Sequence, residues 1–439
     1  MNSKKLSSIL VLSIVLSIGL IFSGAVTTYG QEKVTFATSF GGAELEVFQS
    51  LMKQFEEDTG IKVEVQPVSR NMKTALGSRV AGGNPPDMAN VPNPGLMKNW
   101  ARQGDLVSMD WFKDTELADK MAGGFLETGT YKGTLYGMIP AASVKSLVWY
   151  NKKVFEEEGY ETPETLGELI KLQNQMVADG YTPWVVGLES GGATGWPGTD
   201  WLEDIMLRSA GPETYDKWVN HDISWTNPQV AEAFRIFSLF MNEDMVMGGS
   251  KAALTMNFGD SAQYIIPGAG RDKPRALMHR QATFIQDFIK DARPDAKVGE
   301  DYDTFIFPSF GKGSPPILFA GDLFIAFNDK PAVRELVKYF AEADIQQTWV
   351  EENPGRLATN VDVPLSVYPN DTLSKSAQAL KEAETARFDA SDSMNSAVGS
   401  GSFFSAIVNY VSGDKTLSEV LNTLENSADD AYESGEATD

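Results

Sequence analysis

The chain has 439 residues, which is too long for one ordinary hydrophobic core and predicts two domains of about 150–200 residues each. A hydrophobic fraction of 42% with 22% charged residues is typical of a soluble globular protein, and the formal net charge of −23 disfavours binding to nucleic acid or anionic lipid. Because the chain contains no cysteine, disulfides, thiolate nucleophiles, cysteine-based zinc sites and a cysteine-linked lipid anchor are excluded.

The N-terminus has the organisation of a secretory signal peptide. Lys4 and Lys5 precede an apolar run over residues 6–22, and the small residues Ser23, Gly24 and Ala25 follow. We predict that residues 1–30 are a signal peptide and that the mature protein is secreted, periplasmic or extracellular, without a lipid anchor. The alternative is that the run, which approaches the length of a membrane span, is retained as an anchor.

The next segment predicts a β-α-β-α-β unit. Leu45, Phe48 and Phe55 recur at helical spacing, and Gly60 stands where a left-handed C-cap belongs. We therefore expect a first lobe with a parallel sheet wrapped by helices. Its strands are predicted at residues 34–38, 61–65 and 87–91, and its helices at 43–59 and 72–81.

Later segments continue the alternation of strands and helices, which predicts an α/β fold throughout. The C-terminal residues 425–439 carry six acids and no base, which predicts a fraying helix and a tail. The predicted strands are residues 146–150, 183–187, 305–308 and 323–327, and the predicted helices are residues 165–179, 200–209, 229–241 and 332–343.

No signature of a catalytic or nucleotide-binding site is present: GxxxxGK[ST], HExxH and G-x-S-x-G are all missing. The two histidines, His221 and His279, lie 58 positions apart without a neighbouring cysteine. We therefore predict no catalytic residue, no metal site and no cofactor. A glycosidase needs only two carboxylates about 5–10 Å apart, so the many acids leave that alternative open.

Aromatic residues give the positive signal, because five of the nine tryptophans lie between residues 184 and 225. Aromatic rings can cover the flat C–H faces of sugars, while carboxylates, amides and arginine bond the hydroxyls. Trp196 lies in the loop-like run GWPGTDW, and we predict that it contacts ligand. Trp201 could contact ligand or pack in the core, and Asp200 could instead be a helix N-cap. We assign Trp184 and Trp218 to packing.

Several segments together resemble family 1 extracellular solute-binding proteins of ABC transporters, over essentially the whole mature chain. They are VTFATSFGGAELEVFQSLMKQFEEDTGIKVEVQPV, GGNPPDM and SLVWYNKKVFEEEGYETPETLGEL, which agree with the family in order. Two further segments, GWPGTDWLEDIMLRSAGPETYDKW and LMHRQATFI, resemble the branch that binds α-glucosides.

The resemblance implies a two-lobed periplasmic-binding-protein fold with three hinge crossovers and a ligand cleft between the lobes. The crossovers are expected near residues 141–144, 316–320 and 364–369. Lobe 1 would comprise residues 31–142 plus 321–365, and lobe 2 residues 143–320 plus 366–439.

The resemblance also implies ligand contacts from several separated loops. The family often has Gly-Asp-Trp where this chain has Gly259-Asp260-Ser261, which puts aromatic stacking at that position in doubt. The ligand-binding residues are predicted to be Phe40, Gly41, Glu44, Asn93, Trp196, Asp200, Trp201, Asp260, His279, Arg280, Asp322, Arg356, Phe403 and Phe404.

Several of these residues have structural alternatives. Gly41 could only permit a tight turn, Asp322 could cap a turn, and Arg356 could pair with an acid. His279 is expected to be a hydrogen-bonded neutral imidazole rather than a catalyst. Because Phe403 and Phe404 are adjacent on a helix, we expect one of them to face the cleft.

These observations predict a monomeric, non-enzymatic receptor whose lobes close on an oligosaccharide, such as maltose or trehalose, and deliver it to the membrane permease of an ABC importer. No nucleic-acid partner is expected. The alternatives are a secreted glycoside hydrolase, a binding protein for a non-sugar solute such as a polyamine, a peptide or an iron chelate, and a membrane-tethered sensor ectodomain.

Overall fold

A computed structural model describes residues 32–68, 72–122, 124–311, 313–353 and 355–433. The predicted signal peptide therefore lies outside the described residues, as does the end of the predicted C-terminal tail. Within the described part of the chain, no helix is long and apolar enough to span a bilayer.

The described residues form an α/β fold, as the sequence predicts. The strands are β1 Lys33–Thr38, β2 Lys62–Pro67, β3 Met88–Val91, β4 Thr130–Tyr131, β5 Thr134–Leu135, β6 Gly137–Met138, β7 Ala141–Val144, β8 Leu147–Asn151, β9 Met278–Arg280, β10 Tyr302–Ile306, β11 Ile317–Gly321, β12 Leu323–Ala326, β13 Leu357–Ala358 and β14 Ala386–Phe388.

The helices are α1 Gly42–Thr59, α2 Met72–Ala81, α3 Pro94–Gln103, α4 Asp110–Lys113, α5 Glu116–Asp119, α6 Phe125–Thr128, α7 Lys152–Glu158, α8 Leu166–Ala178, α9 Trp196–Ser209, α10 Pro212–Val219, α11 Pro228–Phe240, α12 Phe258–Ser261, α13 Ile285–Ala292, α14 Pro331–Ala341, α15 Ala343–Glu352, α16 Asp371–Glu382, α17 Ala390–Ser393, α18 Phe404–Ser412 and α19 Leu417–Glu433.

The first sheet has the strand order β2-β1-β3-β12-β6. Strand β1 pairs in parallel with β2 and β3, as expected for the β-α-β-α-β unit, whereas β12 joins β3 and β6 in antiparallel fashion. Helix α1 packs the side chains of Phe48, Leu51 and Phe55 into the core, and Gly60 ends the helix at φ 73°, which confirms its predicted left-handed cap.

A second sheet, which we call the central sheet, has the strand order β13-β7-β11-β14. Strands β7 and β11 run antiparallel, and they coincide with the first two predicted crossovers. The third predicted crossover falls on a short 3₁₀ turn at Leu365–Val367. The predicted hinge function and lobe boundaries remain predictions.

The third sheet has the order β10-β8-β9, and its buried side chains are divided between two hydrophobic clusters, with Tyr150 in one and Trp149 in the other. Trp184 and Trp218 are buried, which confirms the packing role predicted for both, and Trp149 and Tyr150 of β8 are buried as well. The predicted strand at residues 183–187 is wrong, because this segment forms only isolated bridges from Trp184 to Val246 and Met278.

Helix α9 begins at Trp196, four residues before the predicted start at Asp200. The Gly-Pro run suggested a loop, but Gly195 is the N-cap and Pro197 lies in the first turn, where its missing N–H would have no helical partner. The loop prediction for this segment is therefore wrong, and so is the alternative that Asp200 is an N-cap.

Candidate ligand-binding site

A polar cluster lies where the end of β1, the start of β12 and the segment before β13 meet. The guanidinium of Arg356 donates from Nε to Glu44 Oε1 at 2.9 Å, and its Nη2 lies 3.3 Å from Asp322 Oδ2. Asn90 Nδ2 donates to Asp322 Oδ1 at 3.1 Å. The site thus brings together predicted residues that are separated by up to 312 positions.

Phe40, Pro140, Ala141 and Trp349 lie beside this cluster and line a space too narrow to hold a water molecule. The Phe40 ring lies edge-on to Trp349 with ring centroids 5.7 Å apart, so Phe40 is mainly part of the lobe core. Gly41 is the exposed N-cap of α1 at φ −145° with open space around it, and therefore no tight turn requires a glycine here.

Across from this cluster, Lys145 is buried among carboxylates directly after β7. Its Nζ donates to Asp200 Oδ1 at 2.9 Å and to Asp389 Oδ2, and both acids are about 1% exposed. Glu203 accepts the backbone N–H groups of Ala390 and Ser391 and so caps α17. Oxygens of Asp200, Glu203 and Asp389 converge as metal ligands could, but the ammonium of Lys145 already bridges two of these acids.

The electrostatics of this cluster follow from burial and from Lys145. Burial opposes the charge on Lys145, but Asp200 and Asp389 outweigh it and raise the lysine pKa well above its usual range. Burial raises the pKa of Asp200 to about 7, whereas Lys145 overcomes burial at Asp389 and lowers that pKa to about 2. Burial also raises the pKa of Glu203 and Asp392 well above normal. Near pH 7, the cluster therefore holds far less charge than its composition suggests.

Asn93 connects the first sheet to this acidic cluster. It is the N-cap of α3, and its Nδ2 donates to Asp392 Oδ1 at 2.5 Å. Beside it, a Cβ at Gly95 would stand 2.2 Å from the carbonyl oxygen of Met394, so α3 and the segment after α17 touch through their backbones. Asn93 thus lies at a contact between segments predicted to belong to different lobes.

Aromatic side chains form a partly exposed wall beside Lys145. The Trp196 ring lies 5.2 Å from the ring of Phe258 and 6.2 Å from that of Phe284, and Lys145 Nζ stands 5.3 Å from its centroid. Gly355 packs against Phe284, since a Cβ there would stand 2.7 Å from Phe284 Cα. The aromatic wall therefore adjoins the cluster around Arg356.

Gly195 fixes the start of the helix that carries Trp196. Its φ is 111°, and a Cβ would stand 2.4 Å from the carbonyl oxygen of Phe404. We expect Gly195→Ala to lower the free energy of unfolding by about 1–3 kcal/mol through backbone strain, with the clash adding to this. Gly192→Ala is the matched control, since its Cβ would meet nothing within 4 Å. Equal urea midpoints for the two variants would contradict the assignment.

Three predicted ligand residues are packed in the structure instead. Trp201 lies on the inward face of α9 and is therefore 1% exposed. Its ring is surrounded by those of Trp184, Phe240 and Phe307. Phe403 is fully buried against Trp218 and Trp225. The third residue, Arg280, is 3% exposed, and its Nη2 donates to Asp204 Oδ2 at 2.7 Å.

The guanidinium of Arg280 is also stacked over Trp201 and Phe307, at 5.7 and 5.8 Å from their centroids. Arg208 binds the other oxygen of Asp204, so a buried Arg–Asp–Arg group occupies this core. In this conformation Trp201, Arg280 and Phe403 offer no surface to a ligand, and their predicted ligand roles are corrected to packing.

Two further predicted ligand residues, Asp260 and Phe404, differ in their exposure to solvent. Asp260 is an exposed acid in α12, and Ser261 beside it is buried with its Oγ donating to Phe258 O at 2.7 Å. Phe404 is 8% exposed at the start of α18. The expectation that one of Phe403 and Phe404 faces the cleft openly is therefore wrong, because both rings are covered.

His279 is buried in β9, and its Nδ1 lies 2.9 Å from the carbonyl oxygen of Val185, so Nδ1 carries the proton. Burial lowers the pKa of His279 to about 4. The imidazole is therefore neutral near pH 7, as the sequence reasoning expects. The Nε2 atom is buried, and no residue in the described part of the chain forms a hydrogen bond with it.

This pKa has a consequence for stability. Because the folded pKa lies below the ordinary value of 6.5, the stabilisation is complete above pH 6.5 and is lost as pH falls towards 4. Over that range we expect the wild type to lose about 3 kcal/mol more unfolding free energy than His279→Asn, whose amide can replace Nδ1. Urea unfolding at pH 7 and pH 4.5 measures this, and parallel pH curves would contradict it.

Sequence reasoning missed several residues of this site: Asn90, Lys145, Glu203, Phe258, Phe284, Asp389 and Asp392. Lys145 directly follows a predicted crossover, and Phe258 precedes Asp260 by two positions, so each lay beside a segment already singled out. The segment DASDS at residues 389–393 carried no recognisable signal apart from its capacity to cap a helix.

Comparison with known proteins agrees with this architecture. Residues 41–347 match the family model for bacterial extracellular solute-binding proteins. The chain is 40% identical over 402 residues to the osmoprotective compounds-binding protein GgtB of Synechocystis sp., covering 90% of this chain and 92% of that protein. It is 36% identical over 391 residues to the alpha-glucosides-binding periplasmic protein AglE of Rhizobium meliloti, covering 86% and 83%.

Solved structures show the same fold at lower identity. The bacterial solute receptor AcbH superposes with a TM-score of 0.76 at 20% identity, covering 92% of this chain and 100% of that one. A chitin oligosaccharide binding protein gives 0.74 at 20% identity, covering 92% and 99%. The two-lobed α/β prediction is thereby confirmed. The chain belongs to the family of bacterial extracellular solute-binding proteins, and it is the solute-binding component of an ABC importer rather than an enzyme.

Proposed function

We propose that this protein captures an α-glucoside, such as maltose or trehalose, and delivers it to the permease of a sugar ABC importer. The observation that carries the proposal is the partly exposed ring of Trp196, which stands beside Lys145 and adjoins the cluster of Arg356, Glu44 and Asp322. Sequence similarity to AglE, whose name records α-glucoside binding, supports this ligand class.

The chemistry of the cleft suits a sugar. The face of Trp196, extended by Phe258 and Phe284, can cover the C–H face of a pyranose. Hydroxyl groups act as both donors and acceptors, so they can bond the partly exposed Asp392 beside Lys145 and the guanidinium of Arg356. A wall of rings with a few fixed polar groups is the usual composition of a small-molecule site.

Hinge closure is the mechanism that we propose for capture. Strands β7 and β11 of the central sheet coincide with two of the predicted crossovers, and the Asn93–Asp392 hydrogen bond links segments predicted to belong to different lobes. A ligand that contacts both sides binds the closed form better than the open form, and it therefore shifts the population towards closure.

We further propose that the mature protein is a secreted monomer without a lipid anchor and without a nucleic-acid partner. The basic and apolar N-terminal residues support export, and the net charge of −23 disfavours polyanions. The permease subunits are its proposed protein partners.

A thermal-shift panel tests the ligand class. We expect maltose or trehalose to raise the melting temperature, because a ligand that binds only the folded state stabilises it by mass action. Sucrose and palatinose probe the linkage, and cellobiose is the β-linked control. If every α-glucoside leaves the melting temperature unchanged, the ligand proposal fails. Release of free glucose from maltose or trehalose would contradict a purely binding role.

The similarity to GgtB supports a second candidate, an osmoprotective compound, since that protein is 40% identical over most of its length. Adding glycine betaine to the panel separates a zwitterionic osmolyte from a sugar. A shift with glycine betaine and none with the glucosides would favour this second candidate.

A further inference from the structure

A group of potential metal ligands lies away from the ligand cleft, where α19 packs beside the turn after α10. His221 Nε2 stands 3.5 Å from Glu425 Oε2 and 3.8 Å from Asp429 Oδ1. All three donor atoms lie within 4.8 Å of one another. Glu425 and Asp429 are four residues apart on α19, so both side chains project from the same face of the helix.

The spacing suits a small tetrahedral cation. Zinc bonds to histidine nitrogen and carboxylate oxygen are about 2.0–2.1 Å long, so neighbouring donor atoms in a tetrahedral site stand about 3.3 Å apart. The two distances from His221 Nε2 exceed that value by half an ångström or less, and rotation of the side chains can close this difference. Calcium and magnesium prefer oxygen ligands, whereas an imidazole with two carboxylates favours zinc.

Neighbouring residues orient the proposed metal ligands, and the site is open to solvent on one side. Trp225 donates its backbone N–H to Glu425 Oε2 at 2.6 Å, and the His221 ring packs on Tyr432 with centroids 5.1 Å apart. Such outer contacts orient ligating groups. The side chain of Asp429 is 52% exposed, so an ion can reach the site from solvent and keep water as its fourth ligand.

We propose that His221, Glu425 and Asp429 form a zinc-binding site that fastens α19 to the turn after α10. The site is separate from the aromatic wall at Trp196, and the zinc proposal does not depend on the sugar proposal. In the described part of the chain, the other histidine, His279, is 2% exposed and donates from Nδ1 to Val185, so it does not compete for solvent zinc.

Isothermal titration of the untagged protein with zinc chloride at pH 7.5 tests this site. We expect one zinc per chain, with affinity weakened more than about tenfold in His221→Asn and in Asp429→Asn. Asparagine tolerates the left-handed backbone of residue 221, where φ is 59°, so the first variant removes the ligand with little strain. Asp430→Asn is the matched control, since it removes a neighbouring exposed acid of the same helix.

Metal-free melting temperatures close to that of the wild type would show that the variants are folded. Wild-type and Asp430→Asn proteins should then gain stability with zinc, and the two ligand variants should not. The proposal is overturned if the wild type shows no saturable binding, or if His221→Asn binds zinc as tightly as the wild type. Neither result bears on whether maltose or trehalose binds in the cleft.

Discussion

Replacing Lys145 with methionine is expected to lower the free energy of unfolding by about 3–5 kcal/mol at pH 8, because it leaves buried carboxylates without their cation. Asp200 and Asp389 both bind this ammonium and are about 1% exposed. Lys53→Met is the matched control. That lysine is 79% exposed and pairs with Glu57 at 3.7 Å, so its removal should change stability by less than about 1 kcal/mol.

The pH dependence of this loss distinguishes an electrostatic cause from a packing cause. Protonation removes the unpaired charge of the acids, so the destabilisation of Lys145→Met should be smaller at pH 5 than at pH 8. Urea unfolding of both variants at the two pH values supplies the measurement. A loss no greater than that of Lys53→Met, or a loss that grows at pH 5, would contradict the described role of Lys145.

Removing the ring of Trp196 is expected to weaken sugar binding at least about 30-fold, which corresponds to about 2 kcal/mol for truncating a central aromatic contact. The ring is only partly buried, with Phe258 and Phe284 as neighbours, so the protein should still fold. Titration calorimetry with the best sugar of the panel measures the affinity.

Trp111→Ala is the control for this variant, because Trp111 is another partly buried tryptophan, and Arg334 lies 5.2 Å from its ring in a different part of the molecule. Its affinity for sugar should equal that of the wild type. If Trp196→Ala binds sugar normally, or if both variants lose affinity equally, Trp196 is not the aromatic wall of the site.

The regular elements were predictable because their signals are local. The period of Leu45, Phe48 and Phe55 identified α1, and the alternation in β2 identified the adjacent strand. The strand predicted around Trp184 failed because its apolar residues reflect burial, which an irregular segment in a core shares with a strand. Periodicity over five residues cannot separate these two cases.

The site was predictable only in part, because its contacts join distant parts of the chain. Lys145 meets Asp200 across 55 positions and Asp389 across 244, and no local pattern encodes such a meeting. The resemblance implied that Glu44, Asp322 and Arg356 contact ligand, and the structure places them in one cluster in which Arg356 pairs with both acids.

The same resemblance could not separate exposed aromatic and basic residues from packed ones. Trp196 and Trp201 are five positions apart, so a turn and a half of α9 carries one ring to the surface and the other into the core. Arg280 was predicted as a ligand residue from its place in the segment LMHRQATFI, but its guanidinium is buried and binds Asp204.

A crystal structure of the protein with the α-glucoside that gives the largest thermal shift tests the central claim most directly. We predict one sugar between the two lobes, with a pyranose ring stacked on Trp196 and hydroxyl groups bonded to Asp392 beside Lys145 and to the Arg356 cluster. A saturated crystal with no sugar in the cleft, or with sugar bound only elsewhere, would contradict it.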